Sequence, residues 1–269
     1  MPFQLCPGCQ TEKEVLDSHL IPKRVYEYVR AKGMDPVLMT DEMLHPTQRQ
    51  IHAYLLCRDC EDMLNEGGEK WSVGLFAEQM GPFPLFEMLD KQAVVHSDSE
   101  VAVYAAWKIP GFQANKLAHL ALGILWKASV HSCRKGRKLP RIELGDHSNK
   151  LRLFLKGEGQ FPADMALLAW LTPTPVKDVA FDFPREMRAT DARQFLFYLP
   201  GMKFQLVLTN QIETAHIFCL ASGPFKALMV EDLTDELRMV FKHGTKTAYR
   251  TRKFAEYAEI ARKMQSGGG

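Results

Sequence analysis

The chain has 269 residues, is 46% hydrophobic and 25% charged, and carries a net charge of +2 at neutral pH. That composition excludes bulk disorder and predicts a globular protein, either one large domain or a small module followed by a larger one. No apolar run approaches the roughly 18 to 20 residues of a membrane span. The start, MPFQLCPGCQTEKE, lacks the basic and apolar segments of a secretory signal, so a cytoplasmic protein without a membrane partner is expected.

Two C-x2-C pairs dominate the first part of the chain: Cys6-Pro7-Gly8-Cys9 and Cys57-Arg58-Asp59-Cys60. A C-x2-C pair in a tight turn directs both thiolates to one side, and two such pairs complete a closed four-cysteine site for structural zinc. Pro7-Gly8 supplies turn chemistry for the first pair. Two disulfides would require an oxidising compartment, and a redox motif needs only one pair. Zinc at Cys6, Cys9, Cys57 and Cys60 is therefore the expectation. Cys133 and Cys219 stand alone and read as small buried hydrophobes.

Residues 10–56 separate the pairs, so a long excursion must return to its start. Val15 to Ile21, with Asp17-Ser18-His19 inside it, reads as a short strand ended by Pro22. Val25 to Arg30 is helix-like or extended. Residues 31–50 read as a loop broken by Gly33, Pro36 and Pro46. Ile51 to Leu56 predicts a second strand leading into the second cysteine pair. Glu61 to Asn65 opens a helix that Gly67-Gly68 is expected to interrupt.

The order is knuckle, strand with histidine, loop, strand, knuckle, helix. With Ser18-His19-Leu20-Ile21-Pro22-Lys23 and Leu55-Leu56-Cys57-Arg58-Asp59-Cys60-Glu61, it resembles the HNH endonuclease superfamily, over about residues 5–71. The resemblance implies a metal-dependent nuclease acting on nucleic acid, in a setting such as bacterial defence or a mobile element. His19 matches the general base, whose ordinary pKa of about 6.5 suits proton abstraction at cellular pH. Glu61 stands at the helix ligand of a catalytic magnesium or manganese ion, an oxygen donor those metals accept. Ser18 departs from the pattern, because an acidic residue or histidine is usual there. Asp17 shares a strand face with His19. His52 lies near the family's middle asparagine and is a candidate to orient His19. A second reading stays open: a non-catalytic zinc module for nucleic-acid or protein binding. In it His19 is a structural strand histidine and Glu61 a first-turn carboxylate favoured by the helix dipole.

Beyond residue 71, Val101 to Ile109 predicts a strand and Asn115 a helix cap. The stripe Leu117, Leu120, Ala121, Ile124, Leu125 and Ala128 predicts a deeply packed helix to about Val130. His119 and His131 fit its edge or surface. Leu151–Leu155, Val179–Phe183, Phe195–Tyr198, Phe204–Leu208 and His216–Leu220 read as strands. Basic clusters at Arg134, Lys135, Arg137, Lys138 and Arg141, and from Lys242 to Lys263, fit a solvated face or phosphate contacts. Tyr249 to Met264 suggests a C-terminal amphipathic helix. The fold class is thus α+β. An HNH-like zinc-binding ββα module (1–71) precedes a helix-plus-antiparallel-sheet region (72–265) whose ligand the residues do not reveal.

Overall fold

A computed structural model describes residues 1–30, 37–39, 44–46, 50–78, 81–131, 141–173, 183–188, 192–209, 213–237 and 239. The basic residues Arg134 to Lys138, the tail from Lys242 with the helix expected in it, Cys133 and all of Val179–Phe183 but Phe183 lie outside that set. The fold is mixed α and β, with several helices and a seven-stranded sheet.

The chain opens with the hairpin β1 (Phe3–Cys6) and β2 (Thr11–Glu14), whose turn holds the first cysteine pair. Next come β3 (Asp17–His19) and α1 (Lys23–Arg30), which starts directly after Pro22. Two short strands, β4 (Val37–Met39) and β5 (Leu44–Pro46), pair within the stretch expected to be loop. β6 (His52–Tyr54) then returns antiparallel to β3, with His19 opposite His52. Tyr26 on α1 anchors the return, its buried hydroxyl accepting from Ile51 N at 3.0 Å.

Helix α2 (Arg58–Leu64) begins inside the second cysteine pair and does not stop at the glycines. It runs through a π-helical turn, Asn65–Glu69, into α3 (Lys70–Ser72). Gly67 and Gly68 have a packing role instead. A Cβ on Gly68 would lie 2.3 Å from Lys116 O, and one on Gly67 2.3 Å from His119 Cε1. Two adjacent residues without side chains let this helix touch the backbone of the long core helix.

After α4 (Pro84–Glu87), the strands β7 (Val94–Ser97) and β8 (Val101–Tyr104) lead to that core helix, α5 (Ala114–Val130). Its predicted apolar stripe is buried, and so is most of its remaining surface, Trp126 included. Gln113, one residue before the start, is the N-cap and makes no side-chain cap bond, so Asn115 does not cap the helix. α6 (His147–Leu155) follows, where Leu151 to Leu155 had suggested a strand. Leu151 and Leu155 are buried one helical turn apart, and Gly157, at φ 72°, takes the left-handed position just past the helix end.

The large sheet is completed by β9 (Met165–Leu171), β10 (Arg185–Arg188), β11 (Arg193–Leu199), β12 (Met202–Leu208) and, beyond α7 (Glu213–Ile217), β13 (Leu228–Glu231). The strand expected at His216–Leu220 is thus partly α7. Strand order is β10-β11-β12-β9-β13-β8-β7. The sheet is not wholly antiparallel as expected: β13 runs parallel to β9, pairing Met229 with Trp170 and Val230 with Leu171. A parallel pair cannot be joined by a tight turn, and here β10, β11, β12 and α7 all lie between β9 and β13 in the chain. Pro200-Gly201 turns β11 into β12, with Gly201 at φ 77°. Phe197 and Phe204 stack across this pair at 5.1 Å.

The buried faces of β9, β11 and β12 belong to one hydrophobic cluster with α5. The same cluster takes in Cys6, Val15, Leu20, Leu56 and Leu64 from the N-terminal segment. None of the described helices is long and apolar enough to cross a membrane.

Candidate metal centre and the adjoining polar cluster

Cys6 ends β1 and Cys9 lies in the turn that follows. The turn closes with Gln10 N donating to Cys6 O at 2.8 Å and Gln10 at φ 57°. Cys57 is the N-cap of α2 and Cys60 lies in its first turn. The four Sγ atoms lie within 4.8 Å of one another, in a mostly buried cluster that can hold a metal ion such as zinc. Geometry supports a metal over disulfides. A tetrahedron with metal–sulfur bonds of about 2.3 Å sets its sulfurs about 3.8 Å apart, and Cys9 Sγ is 3.8 Å from Cys57 Sγ. A disulfide would need about 2.0 Å.

The surroundings are shaped for this cluster. Cys57 N donates to Cys6 Sγ at 3.3 Å. A Cβ on Gly8 would approach Cys60 Sγ to 2.7 Å, so the first turn needs glycine there. Burial and then the negative charge of Cys6 push the Cys60 thiol up, and burial pushes Cys57 up. Burial also acts on Cys9, but hydrogen bonds from Thr11, Cys57 and Cys6 together outweigh it and bring Cys9 to about 7. A cation at the centre favours every thiolate and so offsets the cost of burying them. Lys13 and Asp59, 2.7 Å apart, link the hairpin to α2 from outside. Arg152 on α6 donates to Gly8 O at 3.2 Å.

Next to this centre, the alternation of β3 separates two sets of side chains. Ser18 is buried and faces α2. Its hydroxyl donates to Glu61 Oε2 at 2.9 Å and accepts from Leu56 N at 3.3 Å. Asp17 and His19 share the other face. His19 is half-buried, with its ring 5.8 Å from that of His52 and Nε2 hydrogen-bonded to Gln50 Oε1. Burial lowers its proton affinity, and the positive charges of His52 and Lys127 lower it further, against the opposing effect of the Gln50 bond. The net effect favours the neutral imidazole. Asp17 reaches His52, not His19: Oδ1 lies 2.7 Å from His52 Nδ1.

The structure thus brings Ser18 to Glu61, and Asp17 to His52, which lies beside His19. It does not join His52 to His19 by a hydrogen bond; Gln50 holds that place. Three members of the cluster escaped the sequence reading. Gln50 precedes the second strand with no pattern to mark it. Glu69 lies beyond Gly67-Gly68, where the helix is expected to be interrupted. Burial and the charge of Glu61 raise its carboxyl, against the opposing charge of Lys127. Lys127 did carry a signal: a charged residue inside an otherwise apolar stretch of helix. No family model, curated protein or solved structure matches this chain.

Proposed function

We propose that the chain is a metal-dependent phosphodiesterase of the HNH endonuclease type, with zinc at the four cysteines as its structural ion. The observation that carries this reading is the contact between Ser18 and Glu61. The residue before the strand histidine meets the residue after the second cysteine pair, the two positions where the family resemblance puts the ligands of the catalytic ion. The β3–β6 pair followed by α2 supports the ββα order of such a module. The burial of His19 favours the neutral imidazole, the form a general base needs. With Gln50 Oε1 accepting from Nε2–H, the Nδ1 lone pair is left to take a proton from the attacking water. His52, held by Asp17, packs beside the base. Glu61, with Ser18, would hold magnesium or manganese, which stabilises charge on the scissile phosphate.

The test is cleavage of plasmid, linear duplex and single-stranded substrates with magnesium or manganese. Wild type should cut. His19→Ala should lose roughly two to four orders of magnitude in rate, with its melting temperature little changed. No cleavage by wild type under either metal, or equal cleavage by His19→Ala, overturns the reading.

One observation favours the alternative of a non-catalytic zinc module for nucleic-acid or protein binding. Ser18 supplies a hydroxyl where an acidic residue or histidine is usual, and that hydroxyl already satisfies Glu61. Under this alternative wild type binds without cutting, and binding to nucleic acid weakens steeply with salt.

A further inference from the structure

Helix α5 is almost wholly buried, and position 127 packs as a core residue would, at 3% exposure. An ammonium group in such a place costs several kcal/mol unless it is well satisfied. Among the described residues its hydrogen bond goes to the main-chain oxygen of His19, at 2.6 Å. Lys203, the other buried lysine described, instead meets a carboxylate, Glu236, at 2.6 Å. Packing alone would favour leucine or methionine at position 127. What the ammonium adds is a fixed tie to one backbone atom far away in sequence.

That atom belongs to a strand with little hold of its own. β3 has three residues and a single partner strand, below the size at which a two-stranded ribbon is stable by itself. The far end of the tie is rigid. Gly67 and Gly68 seat the α2–α3 helix against α5, and Lys116 Nζ donates to Glu66 O at 3.3 Å. Lys127 also lines a cavity of about 10 Å³ together with Glu69, whose negative charge it opposes. Such a cavity has room for about one water molecule.

We propose that Lys127 is a positioning residue for His19: by gripping the His19 carbonyl from α5, it sets the strand end and so the direction of the imidazole towards Gln50. Its catalytic consequence rests on the nuclease reading above; its effect on the imidazole does not. The residue touches neither substrate nor reacting atoms and acts through His19.

The experiment compares wild type, Lys127→Met, His19→Ala and the double variant. Ring-nitrogen NMR signals of 15N-labelled protein are recorded, with His19 assigned by the signals lost in His19→Ala. Lys127→Met should displace the His19 signals and leave those of His96 and His147 in place. In the cleavage assay it should lower kcat roughly 10- to 100-fold, the scale of a small misplacement of a reacting group, with KM unchanged. In the His19→Ala background it should cost nothing more, because residues acting through one group are not additive. Should Lys127→Met not fold, Lys127→Gln, one bond shorter, carries the same test. If wild type cuts nothing, the nuclease reading falls and the ring signals alone decide the positioning. Unmoved His19 signals, displacement of all histidine signals together, an unchanged kcat in an active enzyme, or a further rate loss in the double variant would overturn the proposal.

Discussion

Ser18 donates its hydroxyl hydrogen to Glu61 across 2.9 Å and accepts from the main-chain N–H of Leu56 at 3.3 Å. One small side chain thus joins β3, the end of the returning segment and the first turns of α2. Ser18→Ala leaves the buried Leu56 N–H without its acceptor and Glu61 without its donor. A buried polar group left unsatisfied costs about 1 to 3 kcal/mol. A loss of that size is expected in denaturant melts, with the slope unchanged. A variant as stable as wild type would mean that water replaces the hydroxyl.

The cysteine cluster predicts about one zinc per chain in protein purified without chelator. Cys57→Ser should leave the β1–β2 hairpin and the start of α2 poorly ordered, since metal binding free energy is part of folding free energy. Gly8→Ala is the subtler variant: its Cβ must displace Cys60 Sγ. It should fold with zinc bound and lose the metal to a competing chelator at a lower chelator concentration. Thiol titration and metal analysis on the same samples check both outcomes.

Gly68→Ala tests the seat of α2–α3 on α5. The new Cβ would lie 2.3 Å from Lys116 O and 2.7 Å from Leu120 N. Both are backbone atoms of a helix, so neither can turn aside. Overpacking of this kind typically costs about 1 to 3 kcal/mol. The expected result is a lowered denaturation midpoint. Gly74→Ala, where a Cβ meets nothing within 4 Å, is the control and should change little.

Glu69 gives a pH dependence of defined sign. Burial, and then the charge of Glu61 against that of Lys127, raise its folded pKa above the ordinary 4.5. A raised carboxyl binds its proton more tightly in the folded state. Its contribution is fully present below the unfolded pKa and is lost as pH rises through the folded value. At neutral pH the ionised group therefore costs stability. Glu69→Gln should melt a few degrees above wild type at pH 7 to 8, and the gain should shrink as pH falls towards 4.5. Thermal melts across that range decide it, and a variant less stable than wild type at pH 8 would contradict it.

The cysteine frame was legible in the sequence because both pairs are local: two residues in one tight turn already aim two thiolates together, whatever the rest of the chain does. The α5 stripe was legible for a similar reason, since a periodicity from Leu117 to Ala128 excludes a strand. The β11 and β12 strands were legible from their aromatic runs, and they lie where those runs predicted. Short apolar runs were not decisive. Leu151 to Leu155 spans little more than one helical turn, and only packing against α5 made it a helix. Met165 to Leu171 is apolar at every position, so the sequence shows no alternation to announce a central strand there, although burial alternates from Leu167 to Leu171. The functional cluster divides along the same line. Ser18, His19, His52 and Glu61 stand beside the cysteine pairs or on the strand return, within reach of motif reasoning. Gln50, Glu69 and Lys127 enter only through tertiary contacts. Glycines 67 and 68, a helix-breaking signal by intrinsic preference, became the surface on which two helices meet, because the contact with α5 outweighs the propensity of either residue. Lys127 joins His19 for the same physical reason: a buried ammonium must find an acceptor, and which carbonyl it finds is decided by how two distant segments pack.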